Sequence, residues 1–140
     1  MALSTIIGRL TDIAMRTPNV RSVFINDVYR ENAFSGIDYG VVAIIQDEHS
    51  VGEDIVTYNF TLVYVDRLTA DKSNEVDVQS EGMLTLTNII NTLTAEHDEV
   101  SIDGDVTFTA YYQRFADACA GVYANVAISV ESSMGLCSYR

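Results

Sequence analysis

From Ile55 to Asp66 the side chains alternate: Val56, Tyr58, Phe60, Leu62 and Tyr64 fall on one side, Thr57, Asn59, Thr61 and Val63 on the other. A period of two sustained this long predicts a strand with one face in the core. A polar break, Arg67–Asn74, follows, and then Met83, Leu86, Ile90 and Leu93 recur every three or four residues on one helical face. A strand that delivers a helix onto its own apolar face buries both. That helix is expected to start near Ser73 or Asn74, either of which can cap it, with Glu75 and Asp77 facing the positive end of its dipole. Gly82 within it costs about 1 kcal/mol against alanine, which points to a close approach of backbone to sheet or neighbour.

The remaining periodicities build around this pair. Leu3, Ile6, Ile7, Leu10, Ile13 and Ala14 share a stripe, so residues 3–16 predict an amphipathic helix that Pro18 stops. Residues 20–29 predict a first strand, weakened by Asn26 and Asp27. Residues 30–38 are a loop by composition. Residues 39–46 carry a nearly continuous apolar run, Val41, Val42, Ile44 and Ile45, which suits a strand covered on both faces or one that meets a neighbouring subunit. Residues 47–54 form a polar connection, making a tall antiparallel hairpin with the strand from Ile55. Residues 94–105 are acidic and irregular. Residues 106–115 alternate again, 117–121 are a break of small residues, and 122–130 are the last strand. The tail, 132–140, has no pattern and is expected to be loose or bound to a partner.

Helix, strand, hairpin, helix and two more strands give an α+β fold, a mostly antiparallel sheet of four or five strands with both helices on one face. With 140 residues, 48% of them apolar, and no repeat or linker, residues 1–140 are expected to form a single domain.

Charge narrows the function. Eight basic residues against twenty acidic ones leave a net charge of −12, which disfavours adhesion to nucleic acid or anionic membranes. Two cysteines, Cys119 and Cys137, make no disulfide framework. No leader pattern and no apolar run of spanning length is visible, so a soluble protein of a reducing compartment, without membrane attachment, is expected.

Candidate chemistry is sparse. The two histidines, His49 and His97, lie in acidic stretches read as solvated loops, with no nucleophile motif beside either. Asp47, Glu48, His49, Glu53 and Asp54 form one oxygen-rich group, and Glu96–Glu99 with Asp103 and Asp105 another, but neither follows the ligand order of a calcium loop. No glycine-rich turn opens a helix to cradle phosphate. No catalytic residue, cofactor or metal is assigned, and an enzyme is not expected. Eight tyrosines and no tryptophan suit half-buried surfaces and interfaces as well as core edges. Arg67, Arg114 and Asp117, with Asp66 and Asp71, stand at strand ends where arginine–carboxylate pairs fix corners or bridge subunits.

Three segments carry a resemblance: Val28-Tyr-Arg-Glu-Asn32, residues 62–74 (LVYVDRLTADKSN) and residues 113–125 (QRFADACAGVYAN). They resemble small structural proteins of tailed phages and prophages of gut Bacteroidetes, including the crAss-like phages. The element order is similar to the tail-terminator and tail-completion fold, whose subunits form rings at the neck or tail. The resemblance implies a virion protein assembled in the host cytoplasm as a homomeric ring of six or twelve copies. It would join portal, neck and tail neighbours and line a conduit through which genomic DNA passes without specific binding. Phe34 and Tyr39 in the first loop, the arm Asp47–Asp54, and Arg67, Arg114 and Asp117 are the candidate subunit contacts. The competing reading is a small acidic regulatory module of phage origin that mimics nucleic-acid charge.

Overall fold

The computed structural model describes residues 2–26, 40–67, 74–114 and 118–131, the side chains of 111–114 and 118 excepted. Its elements run α1 (Leu3–Arg16), β1 (Ser22–Ile25), β2 (Val41–Val51), β3 (Ile55–Arg67), α2 (Glu75–Glu96), β4 (Val100–Ile102), β5 (Phe108–Arg114) and β6 (Ala118–Glu131). The fold is α+β, and the sheet is mixed but mostly antiparallel, in the order β1-β2-β3-β6. On the far edge of β6 lie β5, opposite its first half, and β4, opposite Ile128–Val130. Among the described strands only β1 and β2 run parallel. The three-residue β4 makes the sheet six-stranded rather than the expected four or five.

Both helices pack on one sheet face. Ile6, Leu10, Ile13 and Ala14 of α1 and Leu86, Ile89 and Leu93 of α2 meet Val42, Ile44, Val56, Tyr58, Phe60, Leu62 and Tyr64. The α1 stripe and the alternation of β3 are those of the sequence. Of the expected stripe of α2, Leu86, Ile90 and Leu93 turn inward, joined by Val78, Gly82, Thr85 and Ile89, while Met83 is 45% exposed. Gly82 and Thr85 carry no apolar signal, so periodicity alone overlooked them. A Cβ on Gly82 would stand 2.8 Å from the Tyr64 ring and 2.9 Å from Val122, which is the close approach its placement implied. The α2 backbone begins after Asn74, whose carbonyl accepts the Val78 N–H. Its side chain does not cap the helix.

The opposite face is divided. Toward the Arg67 end, Val41, Ala43, Val63, Val65 and Cys119 form a second buried cluster. Toward the hairpin turn the face becomes polar. Thr57 and Ser129 hydroxyls lie 3.3 Å apart, and Ser129 donates to Asp103 at 2.6 Å.

Three boundaries differ from expectation. β2 continues to Val51, so Asp47, Glu48 and His49 belong to a strand and only Gly52–Asp54 form the turn, closed by Gly52 N–H to Ile55 C=O at 2.7 Å. Pairing of Gln46 and of His49–Val51 with β3 holds this polar stretch extended despite its low strand propensity. β1 ends at Ile25 because Asn26 adopts φ of +65° and turns its amide oxygen to the Gln46 N–H. β6 begins at Ala118 and passes through the small residues read as a break.

Two ion pairs fasten α1 to the C-terminal end of α2 and to the turn that follows it. Arg16 reaches Glu96 at 2.8 Å and Asp12 at 3.1 Å, and Arg9 reaches Glu99 at 2.8 Å. The hydrogen bond from Arg16 holds the Glu96 carboxyl below its ordinary value, and the bond from Arg9 does the same for Glu99. A carboxyl lowered in the folded state contributes stability above its unfolded value that disappears as pH falls through the folded one. The melting temperature is therefore expected to fall on acidification below the usual glutamate range. Arg16→Gln should fall less over the same interval, and equal acid sensitivity in a thermal-melt series would disprove the contribution.

Candidate functional site

Two features of the sheet invite function, one at each end. The first is the outer edge of β2. β1 pairs only with Val41–Ile44, and beyond them no described strand lies against β2. On its inner side the same stretch of β2 carries a bulge: pairing with β3 passes from Gln46↔Phe60 to His49↔Tyr58, leaving Asp47 and Glu48 opposite Asn59. Side chains fill the gap. His49 Nδ1 accepts the Asn59 N–H at 3.2 Å, and Asn59 Nδ2 donates to the Glu48 carbonyl at 2.7 Å. Thr61 Oγ1 lies 2.8 Å from Asp47 Oδ2 and 2.8 Å from the Asn125 amide. One hydroxyl proton serves one acceptor, so it goes to the carboxylate, and Asn125 presents its NH₂. A charged, bulged edge of this kind resists indiscriminate strand pairing while leaving the backbone within reach of a specific partner.

The hairpin that ends in this edge is not a free arm. β3 pairs with β6 to its first residue, Ile55↔Glu131. That pairing, with Val100↔Val130 in β4, brings the two acidic segments of the sequence to one pole. A cleft of about 330 Å³ there is lined by Ile55, Asp98, Glu99, Ser101, Ser129, Val130 and Glu131. Val51 and Ile55 are exposed beside it, at 68% and 48%. Among the described residues no three His, Cys, Asp or Glu side chains converge as a metal-binding set.

The second feature is a larger cleft, about 780 Å³, at the opposite end, between the end of α1, the start of β1 and the start of α2. Tyr64 forms its floor. Its ring is 1% exposed, and its hydroxyl donates to Asp66 at 3.3 Å. Burial, with Asp66 and Glu81 nearby, raises the phenol and keeps it protonated. Asn19, held at φ of +73°, donates from its amide to Glu81. Asp77, Asn74 and Arg21 complete the polar wall. The described lining makes this cleft a polar recess.

Of the candidate contacts, Asp47, Glu48 and His49 lie on the uncovered edge, and Glu53 and Asp54 lie in the turn at the acidic pole. His49 is half-buried in a strand and not a solvated loop residue, because the bulge turns its ring against Tyr58 and Phe60. His97 follows α2 and spans its exit, with its N–H to Leu93 and its carbonyl to Val100. Arg67 closes β3 opposite Cys119, with its N–H on Asp66 Oδ1 at 2.8 Å. Arg114 ends β5 opposite Ala118. Phe34, Tyr39, Asp71, Asp117 and the tail 132–140 lie outside the described residues. The sequence singled out neither Asn19 nor Glu81, because their partnership crosses 62 positions and leaves no local pattern.

Scanned against models of known protein families the chain matches none, and a search of curated proteins finds no match. No described helix is long and apolar enough to cross a membrane.

Proposed function

We propose that this chain is a structural subunit of a tailed-phage virion, assembled side by side into a ring of six or twelve copies at the neck or tail. The observation that carries the reading is the open outer edge of β2, which no described strand covers beyond Ile44. A rigid sheet with helices on one face and an uncovered edge on one side suits a heterologous contact that closes into a ring. The tail-terminator resemblance of the sequence supports the same assignment. The net charge of −12 suits a conduit wall, since carboxylates facing the lumen repel DNA phosphates. Screening confines that field to about 8 Å at physiological salt, so only carboxylates at the wall itself contribute.

Mass photometry and negative-stain microscopy of the purified protein test this reading. Closed rings of six or twelve copies are expected, and Asp47→Lys with Glu48→Lys on the β2 edge is expected to change the ring fraction. A monomer at every concentration, together with absence from purified particles, overturns it.

The acidic pole favours a second reading, a charge mimic of nucleic acid. It gathers Glu53, Asp54, Asp98, Glu99 and Glu131 at one end of the sheet. This reading expects a monomer or dimer that captures a DNA-binding protein and is displaced by DNA.

A further inference from the structure

We propose that His49 is a protonation-sensitive pin that holds the β2 bulge closed. This inference is independent of ring assembly. In an unbroken ladder the Asn59 N–H would meet a carbonyl of β2. At the bulge it donates to His49 Nδ1 at 3.2 Å. The other ring nitrogen, Nε2, lies 3.2 Å from Gln46 Oε1. Nδ1 accepts, so it carries no proton, and Nε2 supplies the hydrogen that the amide oxygen takes. Both bonds are satisfied by one species only, the neutral ring protonated at Nε2. The ring is fixed in place by an edge contact to Tyr58, centroids 5.5 Å apart, and a tilted contact to Phe60 at 5.6 Å.

A second proton would go to Nδ1, which then points a donor at a donor. Either the Asn59 N–H is left without an acceptor, or the ring leaves Tyr58 and Phe60 to find water. The bond to Gln46 survives protonation, so the effect falls on the contact between β2 and β3. Asp47 and Glu48 precede His49 on its own strand, and the Asp47 carboxylate is occupied by Thr61. On the β3 side the groups beside it are Tyr58, Asn59 and Phe60, and none of them is a carboxylate or a cation. No described helix residue bonds to the ring. The bulge is therefore pinned by the neutral ring and released by a ring that has taken a second proton. Because this is the uncovered edge of the sheet, release changes the surface that the edge offers.

The test is amide hydrogen exchange by NMR between about pH 8 and about pH 5, the interval that histidine titration spans. It is run in a His97→Gln background so that only one histidine titrates, with rates expressed relative to the intrinsic rate at each pH. Asn59 is expected to lose about tenfold in protection on acidification while Leu62 and Val126 keep theirs. His49→Phe, which retains the ring contacts but has no acceptor, is expected to show low Asn59 protection at both pH values. The ring ¹⁵N spectrum at the higher pH is expected to show Nδ1 as the unprotonated nitrogen. Asn59 protection that does not change as His49 titrates, or a proton found on Nδ1 at the higher pH, overturns the proposal, and both readouts need only the unsubstituted His49.

Discussion

Gly121→Ala is expected to leave little or no folded protein. Gly121 sits in β6 opposite Val65 of β3 and Tyr111 of β5, so it is paired on both sides. A Cβ there would overlap the Tyr64 carbonyl oxygen and lie 2.7 Å from the Tyr64 carbonyl carbon and 3.0 Å from Val65 Cα. These are backbone atoms of a central strand, which cannot swing aside as a side-chain tip can. Relief requires the β3–β6 ladder to open, and that ladder runs from Ile55↔Glu131 to Arg67↔Cys119. The expected loss is at least about 4 kcal/mol, in the range reserved for core disruption. Domains of this size hold only about 5–15 kcal/mol in total. Soluble yield and urea denaturation measure it, and a midpoint equal to that of the parent protein would show that the strands are not this close.

Tyr64→Ala is expected to cost about 3–5 kcal/mol, as for other large buried aromatics. The ring is 1% exposed. It is enclosed by two glycines whose missing side chains make room for it: a Cβ on Gly40 would come within 2.9 Å of its hydroxyl, and one on Gly82 within 2.8 Å of its ring edge. Neither glycine has atoms to fill the void that alanine leaves, so the cavity persists. Tyr64→Phe separates packing from the hydroxyl. It keeps the ring and removes a single 3.3 Å bond to Asp66, with an expected loss of about 1 kcal/mol or less. Urea midpoints for the pair should differ severalfold in their displacement. Similar displacements would mean that the polar cleft, and not the packed ring, holds α2 on the sheet.

The acidic edge shows how legibility fails. Val41–Ile45 announce a strand by their own hydrophobicity. Asp47–Ser50 do not, and the stretch is extended because Phe60 pairs with Gln46 before it and Tyr58 and Thr57 pair with His49 and Ser50 within it. The same holds for His49: its charge and surroundings in sequence describe a loop residue, and only the bulge gives it an acceptor role toward Asn59. Glu53 and Asp54, by contrast, occupy a turn as their composition indicates.

By itself the sequence determined what depends on neighbours within a few residues. The span of α1 from stripe to Pro18, the alternation of β3, the start of α2 after Asn74 and the α+β class all follow from local periodicity and stop signals. Tertiary structure alone decided the parallel pairing of β1, the exposure of Met83 on α2, the gathering of the acidic segments at one pole and the cleft over Tyr64. Those features are set by which strands become neighbours and how closely glycine lets backbones approach. Such contacts join positions tens of residues apart and impose no period on the chain between them.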